Sequence, residues 1–81
     1  MKVRVLLFAE LRETVGRGEL ELELPEGSTV AGFLAALRRE HPALAGLLPR
    51  AKVAVDRELV GEAVELRPGS EVALIPPVGG G

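Results

Sequence analysis

The sequence of 81 residues contains no cysteine, tryptophan or tyrosine, and it has only one histidine, His41. Without cysteine the chain cannot form disulfides, bind metals through thiolates or use a thiol as a nucleophile. A single histidine also excludes a metal site built from several imidazoles. Phe8 and Phe33 are the only aromatic residues, so aliphatic side chains must build the core. The side chains therefore offer little chemistry of their own, and we expect no bound metal or cofactor.

The sequence also lacks an excess of basic charge and a long apolar run. Ten basic residues against twelve acidic ones give a net charge of −2 at pH 7. Nucleic-acid binding usually depends on a basic surface and on aromatic side chains that stack on bases, so we expect no nucleic-acid partner. No apolar run approaches the ~20 residues of a membrane-spanning helix, and the first residues alternate as in a strand rather than forming a signal peptide. We expect no membrane partner and a cytoplasmic location.

Five segments show the alternation that is typical of β-strands, the fourth of them only weakly. In Glu19–Leu24 the alternation is perfect, with leucines on one face and glutamates on the other, which indicates a half-buried edge strand. Lys2–Phe8 is apolar on both faces toward its end, which is typical of a central strand. The predicted strands are Lys2–Phe8, Glu19–Leu24, Lys52–Val55, Glu62–Leu66 and Glu71–Ile75.

One amphipathic helix is predicted between the second and third strands. Its apolar residues recur at i, i+3, i+4 and i+7 from Val30 to Leu37. Ser28 or Thr29 is a suitable N-cap, and the proline after His41 ends the helix. Shorter helical turns are predicted at Ala9–Val15, closed by Gly16, and at Ala43–Leu48.

This order of elements predicts an α+β domain over residues 1–75. We expect a mixed sheet of about five strands, with one main helix packed on one face and short extra helical turns. The crossover through the main helix allows the last strand to lie parallel to the first. The remaining residues, 76–81, are expected to form an extended tail.

The tail is the unusual segment of this sequence. It consists of Pro76, Pro77, Val78, Gly79, Gly80 and Gly81. Two prolines favour an extended backbone, and the glycines, which lack Cβ, allow the end to enter a channel too narrow for a side chain. A frayed terminus or an expression scar is the alternative, although a scar more often brings serine, histidine or a protease site.

A bare carboxyl end also has chemistry of its own. A carboxylate is a poor electrophile, but an acyl adenylate at Gly81 would carry a good leaving group. Sulfur that replaces this group leaves a thiocarboxylate, which is a nucleophile. Such sulfur chemistry needs no cysteine and only an accessible chain end.

Alternation further predicts an exposed apolar patch on the sheet face that points away from the main helix. We call it the open-face patch, and its predicted members are Leu6, Phe8, Ala73 and Ile75, extended by Leu59 from the loop after the third strand. Exposed patches of this kind mark partner surfaces. The alternative is a second small core that the segment Leu44–Leu48 covers.

The whole chain resembles the small, MoaD-type subunits of molybdopterin synthase, which are ubiquitin-like sulfur carriers with the β-grasp fold. The resemblance rests on Leu7–Glu13, on Val53–Asp56 with Leu59-Val60 beyond it, and on Glu71–Val78 before Gly80-Gly81. Pro-Pro-Val, one residue, then Gly-Gly is much more specific than a terminal Gly-Gly alone. The chain departs from the family at Asp56, where asparagine is frequent, and at Gly79, where a small or hydroxyl residue is usual.

The resemblance implies a cycle of activation and transfer at Gly81. A MoeB-like, E1-like adenylating enzyme would use ATP to adenylate this residue, and a sulfur donor protein would supply the thiocarboxylate sulfur. The tail would then insert into a MoaE-like large subunit, where sulfur passes to cyclic pyranopterin monophosphate and builds the molybdopterin dithiolene. Catalytic side chains are expected on the large subunit, in a heterotetramer around a large-subunit dimer.

Three alternatives remain open from the sequence. The chain could carry sulfur for another pathway, such as thiazole synthesis, tRNA thiolation or cysteine synthesis, although Pro-Pro-Val and the segment Phe8–Glu13 favour molybdopterin. It could be a protein modifier that is joined to lysines through Gly81. It could also be a plain interaction domain with an inert tail.

Overall fold

The computed structural model describes residues 1–77, and these form a mixed sheet with helices on one side. The strands are β1 (Lys2–Leu7), β2 (Glu19–Glu23), β3 (Lys52–Val55), β4 (Glu58–Val60) and β5 (Glu71–Ile75). Their spatial order is β2-β1-β5-β3-β4. β1 and β5 are parallel, and the other neighbours are antiparallel. The predicted crossover, which brings the last strand beside the first, is therefore confirmed.

The helices are α1 (Ala9–Val15) and α2 (Val30–Glu40), and two short 3₁₀ turns follow at Pro42–Leu44 and Leu48–Arg50. α2 begins at Thr29, whose Oγ1 accepts a hydrogen bond from the Gly32 N–H at 3.3 Å. It ends at His41, whose backbone has left the helical region before the next proline. No helix within residues 1–77 is long and apolar enough to cross a membrane.

The core lies between α2 and one face of the sheet. The residues of β1 and β5 that point toward it are all buried: Val3, Val5, Leu7, Val72 and Leu74. From α2, the apolar stripe buries its side chains in the same cluster, with Phe33 at 0% exposure. Because alternate residues of a strand point to opposite faces, the other set on β1 and β5 faces away from the core.

Two predicted local features are confirmed at the first edge of the sheet. β2 is an edge strand, with its leucines buried and its glutamates exposed. Gly16 ends α1 with φ of +84°, in the left-handed region that glycine adopts without strain.

The predicted fourth strand, Glu62–Leu66, is wrong. β4 is Glu58–Val60, and it pairs with β3 through a two-residue turn of Asp56 and Arg57, which both have positive φ. This turn lacks the glycine that usually signals such a hairpin. The backbone of 62–66 serves α2 instead, because its carbonyls accept hydrogen bonds from the first two N–H groups of that helix. Within this segment, only the single bridge from Glu65 to Thr29 resembles strand pairing.

Candidate functional site: the open sheet face and the base of the tail

One row of small and apolar side chains crosses the sheet on the face away from α2. Leu6 of β1 lies opposite Ala73 of β5, Ala73 opposite Ala54 of β3, and Ala54 opposite Leu59 of β4. The pairings place all four side chains on the same face, because residues directly opposite in a sheet point the same way. The sheet therefore brings together Leu6, Ala73 and Leu59, as the sequence predicts.

The second part of the open-face patch lies at the carboxyl ends of β1 and β5. Phe8, directly after β1, is 47% exposed, and Ile75, the last residue of β5, is 39% exposed. Leu59 is more exposed still, at 64%. Large apolar side chains that are exposed on one sheet face are typical of a surface that a partner covers.

The alternative cover for this patch is excluded, and the placement of Leu59 is corrected. Leu44 and Leu48 are buried in the core cluster on the α2 side, so they do not cover the open face. Leu59 lies on β4 rather than in a loop, because the Asp56-Arg57 turn lets the chain fold back along β3. A strand backbone holds Leu59 in register with the patch more firmly than a loop does.

Sequence reasoning missed Ala54, which lies at the centre of the row and is 6% exposed. The signal was present, because Val53 and Val55 share one face of a strand by alternation and the residue between them must point the other way. Because Ala54 and Ala73 have short side chains, the surface in the middle of the row is lower than at Leu6 and Leu59 on either side.

A charged cluster bounds the patch at the end of the sheet far from the tail. The Arg4 guanidinium donates two hydrogen bonds to the Glu19 carboxylate, at 3.1 Å and 3.3 Å, and lies 3.4 Å from Glu71. The hydrogen bond and the charge of Glu19 raise the pKa of Arg4 above its ordinary value. The apolar part of the open face is thus confined to the end where the chain leaves the sheet.

The base of the tail is fixed to this apolar end. Ile75 pairs with Lys52 of β3, and Pro76 and Pro77, which lack N–H groups, follow it directly. Pro76 is half-buried, whereas Pro77 is exposed. The predicted tail residues Val78, Gly79, Gly80 and Gly81 lie outside the described residues.

The described side chains do not form a metal site. Among residues 1–77, no group of three or more histidine or acidic residues is close enough to hold a metal ion. The lone histidine caps α2. What the geometry provides is an exposed apolar face beside Pro76 and Pro77, at the point where the chain leaves the sheet.

Known proteins of the same size match this chain along its length. A family model described as the ThiS family matches residues 5–81. The molybdopterin synthase sulfur carrier subunit of Chlamydomonas reinhardtii is 37% identical over 83 residues, which cover 100% of both chains.

Solved structures give the same fold. SAMP1 of Haloferax volcanii, a small archaeal modifier protein, has a TM-score of 0.91 and 29% identity, with full coverage of both chains. The complex of subunits 1 and 2 of the molybdopterin-converting factor from Helicobacter pylori contains a chain with a TM-score of 0.74 at 23% identity, again with full coverage. The likeness confirms the ubiquitin-like β-grasp fold. From the family model and the full-length relative, the chain belongs to the ThiS family, as a relative of the sulfur carrier subunits of molybdopterin synthase.

Proposed function

We propose that this chain carries sulfur as a thiocarboxylate on Gly81 and delivers it to the molybdopterin precursor within a molybdopterin synthase. The observation that carries the proposal is the joint position of two features. β5 ends at Ile75, inside the open-face patch, and the Pro-Pro-Val-Gly-Gly-Gly end begins at the next residue. A partner that covers the patch is therefore placed to receive the tail.

The chemistry runs entirely at the carboxyl group of the last residue. Attack of this carboxylate on ATP, in an E1-like adenylating enzyme, forms an acyl adenylate and releases pyrophosphate. A hydrosulfide nucleophile supplied by a sulfur donor protein then attacks the acyl carbon, where a C–S bond forms as the C–O bond to AMP breaks, and this leaves the thiocarboxylate. The thiocarboxylate sulfur next forms a bond to a carbon of the pterin precursor, and water cleaves the resulting thioester, so that sulfur stays on the pterin and the carboxylate of Gly81 is regenerated. Two such transfers complete the dithiolene. The chain itself supplies no catalytic side chain in this scheme.

The large synthase subunit is the proposed partner of the open-face patch. Phe8, Ile75 and Leu59 lie on one sheet face and are exposed, so a complementary apolar surface would remove them from water. The Helicobacter pylori structure, which holds subunits 1 and 2 of the molybdopterin-converting factor together, supports pairing of this kind. The heterotetramer and the cytoplasmic location stay predictions.

A role as a protein modifier is the second candidate, because the likeness to the archaeal modifier SAMP1 covers the full chain. Modification of lysines would begin with the same adenylation of Gly81. The two roles differ in the group that is transferred. Sulfur moves to a pterin carbon in one case, whereas in the other an amine attacks the activated acyl carbon of Gly81, displaces the leaving group and forms an amide bond.

Reconstitution separates these roles. The chain, an adenylating enzyme, ATP, a sulfur source, the large subunit and cyclic pyranopterin monophosphate are combined, and molybdopterin is measured as its fluorescent oxidation product. We expect product with the full chain and none with a variant that lacks Gly81. Thiocarboxylate formation without molybdopterin would assign the chain to another sulfur pathway, and adducts on lysines without either product would assign it to protein modification.

A further inference from the structure

A groove of about 680 Å³ lies between α2 and the β3–β4 edge, on the opposite side of the sheet from most of the open-face patch. One stripe of α2 forms its first wall, at the helical spacing i, i+3, i+4, i+7: Ala31, Leu34, Ala35 and Arg38. The run Leu59–Glu62 forms the opposite wall. Leu48 and Val53, which are buried, lie at the bottom.

The groove is apolar because the core is incompletely covered on this side. β4 has only three residues, and two of the four groove-facing residues of α2, Ala31 and Ala35, are alanines that leave space unfilled. Leu34 and Val60 consequently keep part of their surface exposed, although both pack against the core. A medium-sized apolar side chain from another molecule would bury them.

The backbone of β4 is unpaired on its outer side within residues 1–77, where β3 is its only neighbour. The pair Val55–Glu58 closes the two-residue turn and is therefore a hydrogen-bonded pair. Hydrogen-bonded and non-hydrogen-bonded pairs alternate in antiparallel strands, so the next pair, Ala54–Leu59, is not hydrogen-bonded and the following pair, Val53–Val60, is. The N–H and C=O of Leu59 consequently point outward, away from β3. An edge with such groups is a template for another strand.

Charge distinguishes the two ends of the groove. Arg38 lines the end at the carboxyl-terminal part of α2, and it is exposed. Glu62 lines the other end, where its carbonyl accepts a hydrogen bond from the Ala31 N–H. The ion pairs found in the described part of the chain involve Arg4 and the amino terminus, and not Arg38. The cationic end therefore fits a carboxylate on whatever occupies the groove.

We propose that the large subunit contributes an extended segment that adds to β4 as a sixth strand. Alternate side chains of this segment enter the groove between Ala31 and Val60, and the intervening ones adjoin Leu59 on the open face. Strand addition of this kind takes affinity from main-chain hydrogen bonds and specificity from pockets for alternate side chains. A carboxylate of the segment lies at Arg38. The inference rests on the proposed function, because the occupant belongs to the partner of the open-face patch.

Leu59 is the residue that joins the two surfaces. Its side chain belongs to the open-face patch, its position lines the groove, and its free backbone groups lie between them. A partner that only covered the open face would leave the groove and the β4 edge in water. A partner with an added strand covers all three without a break.

A matched pair of charge reversals tests the groove. Arg38→Glu places a negative charge at its cationic end, whereas Arg39→Glu makes the same change on the next residue of α2, which does not line the groove. By calorimetric titration of the large subunit, we expect Arg38→Glu to weaken binding at least about tenfold and Arg39→Glu less than about threefold. Equal effects of the two variants, or none, would overturn the inference.

Hydrogen exchange tests the added strand directly. In the free chain the Leu59 amide should exchange fast and the Val60 amide slowly, because only the latter is bonded to β3. In the complex the Leu59 amide should become protected, with Val60 as the internal reference. Unchanged exchange at Leu59 contradicts strand addition.

Failure of this inference and failure of the proposed function give different results. If Phe8→Ala weakens large-subunit binding while Arg38→Glu and Leu59 exchange show no effect, the groove proposal falls and the open-face interface stands. If the wild-type chain does not bind the large subunit, both fall. A loss confined to the adenylating enzyme also overturns the groove proposal.

Discussion

Replacing Phe8 with alanine should separate binding of the large subunit from folding of the chain. A phenylalanine side chain covers about 200 Å², and 47% of Phe8 is exposed, so about 95 Å² is available to a partner. At about 25 cal/mol per Å², burial of this area against a partner corresponds to about 2 kcal/mol, after subtraction of the area that the alanine side chain of the variant still buries. We therefore expect the dissociation constant to rise about 30-fold.

The same substitution should leave the domain folded. The buried half of the Phe8 side chain has a similar area, so it contributes a similar amount to the free energy of unfolding. The unfolded chain already buries part of this area, which makes the contribution smaller. The free energy of unfolding should therefore fall by less than about 2 kcal/mol. Small domains have about 5–15 kcal/mol of stability, which leaves the variant native at room temperature. The free energy of unfolding, from denaturant titration, checks this part.

The assay compares Phe8→Ala with Val64→Ala in calorimetric titrations of the large subunit. Val64 is a suitable control because it is 38% exposed but lies outside the strands, where its carbonyl accepts a hydrogen bond from the first N–H of α2. We expect the control to bind like the wild type. Binding of Phe8→Ala within twofold of the wild type, or an equal loss in both variants, would refute the assignment of the open face.

Three further substitutions test the interface and the local physics of the fold. Ile75→Asp should abolish measurable large-subunit binding in the same titration while the far-ultraviolet circular dichroism stays native. The reason is that the interface would have to take a charged carboxylate out of water in place of an apolar side chain. Native-like binding would exclude this strand end from the interface. Thr29→Ala should lower the free energy of unfolding by about 1 kcal/mol, because the Gly32 N–H loses its hydrogen-bond acceptor at the start of α2. The control, Thr14→Ala on the exposed surface of α1, should change the free energy of unfolding by less than about 0.5 kcal/mol. Equal changes in the two variants would contradict the capping role of Thr29. Arg57→Gly should raise the free energy of unfolding by about 0.5–1 kcal/mol, because φ of +74° strains arginine but not glycine; a decrease would mean that the lost side chain outweighs the relieved strain.

Most of the fold follows from local sequence signals. The leucines of β2 and the stripe of α2 identify their buried faces because a strand and a helix have different periods. The pairing of β1 with β5 follows from the crossover helix between the first hairpin and the last strand. These signals are strong because each involves several residues that agree.

β4 was missed because its determinants are not local. Its turn uses Asp56 and Arg57 at positive φ, and the Asp56 carboxylate accepts a hydrogen bond at 3.0 Å from the backbone N–H of Glu71 on the neighbouring strand. A contact across the sheet therefore stabilises a turn that the residues themselves do not signal. The error moved Leu59 into a loop, yet its place in the open-face patch was predicted correctly.

The open-face patch could be predicted from the sequence, whereas the groove beside α2 could not. Alternation predicted that Phe8 and Ile75 lie on the open face. Once one residue of a strand is known to face the core, the face of every other residue in that strand follows. The groove beside α2 was not predicted, because it arises from the short length of β4 and the small residues of the helix facing it. Gaps of this kind depend on tertiary packing and leave no periodic signal.

The central claim is that sulfur is carried on the main-chain carboxyl group of Gly81. Intact-mass spectrometry, after incubation with ATP, an adenylating enzyme and a sulfur source, tests this claim most directly. The account predicts a mass gain equal to the exchange of one oxygen for one sulfur, mapped by fragmentation to Gly81, and no gain when one residue is added after it. An unchanged mass under conditions in which the adenylate forms, or sulfur found at any other residue, would contradict the account.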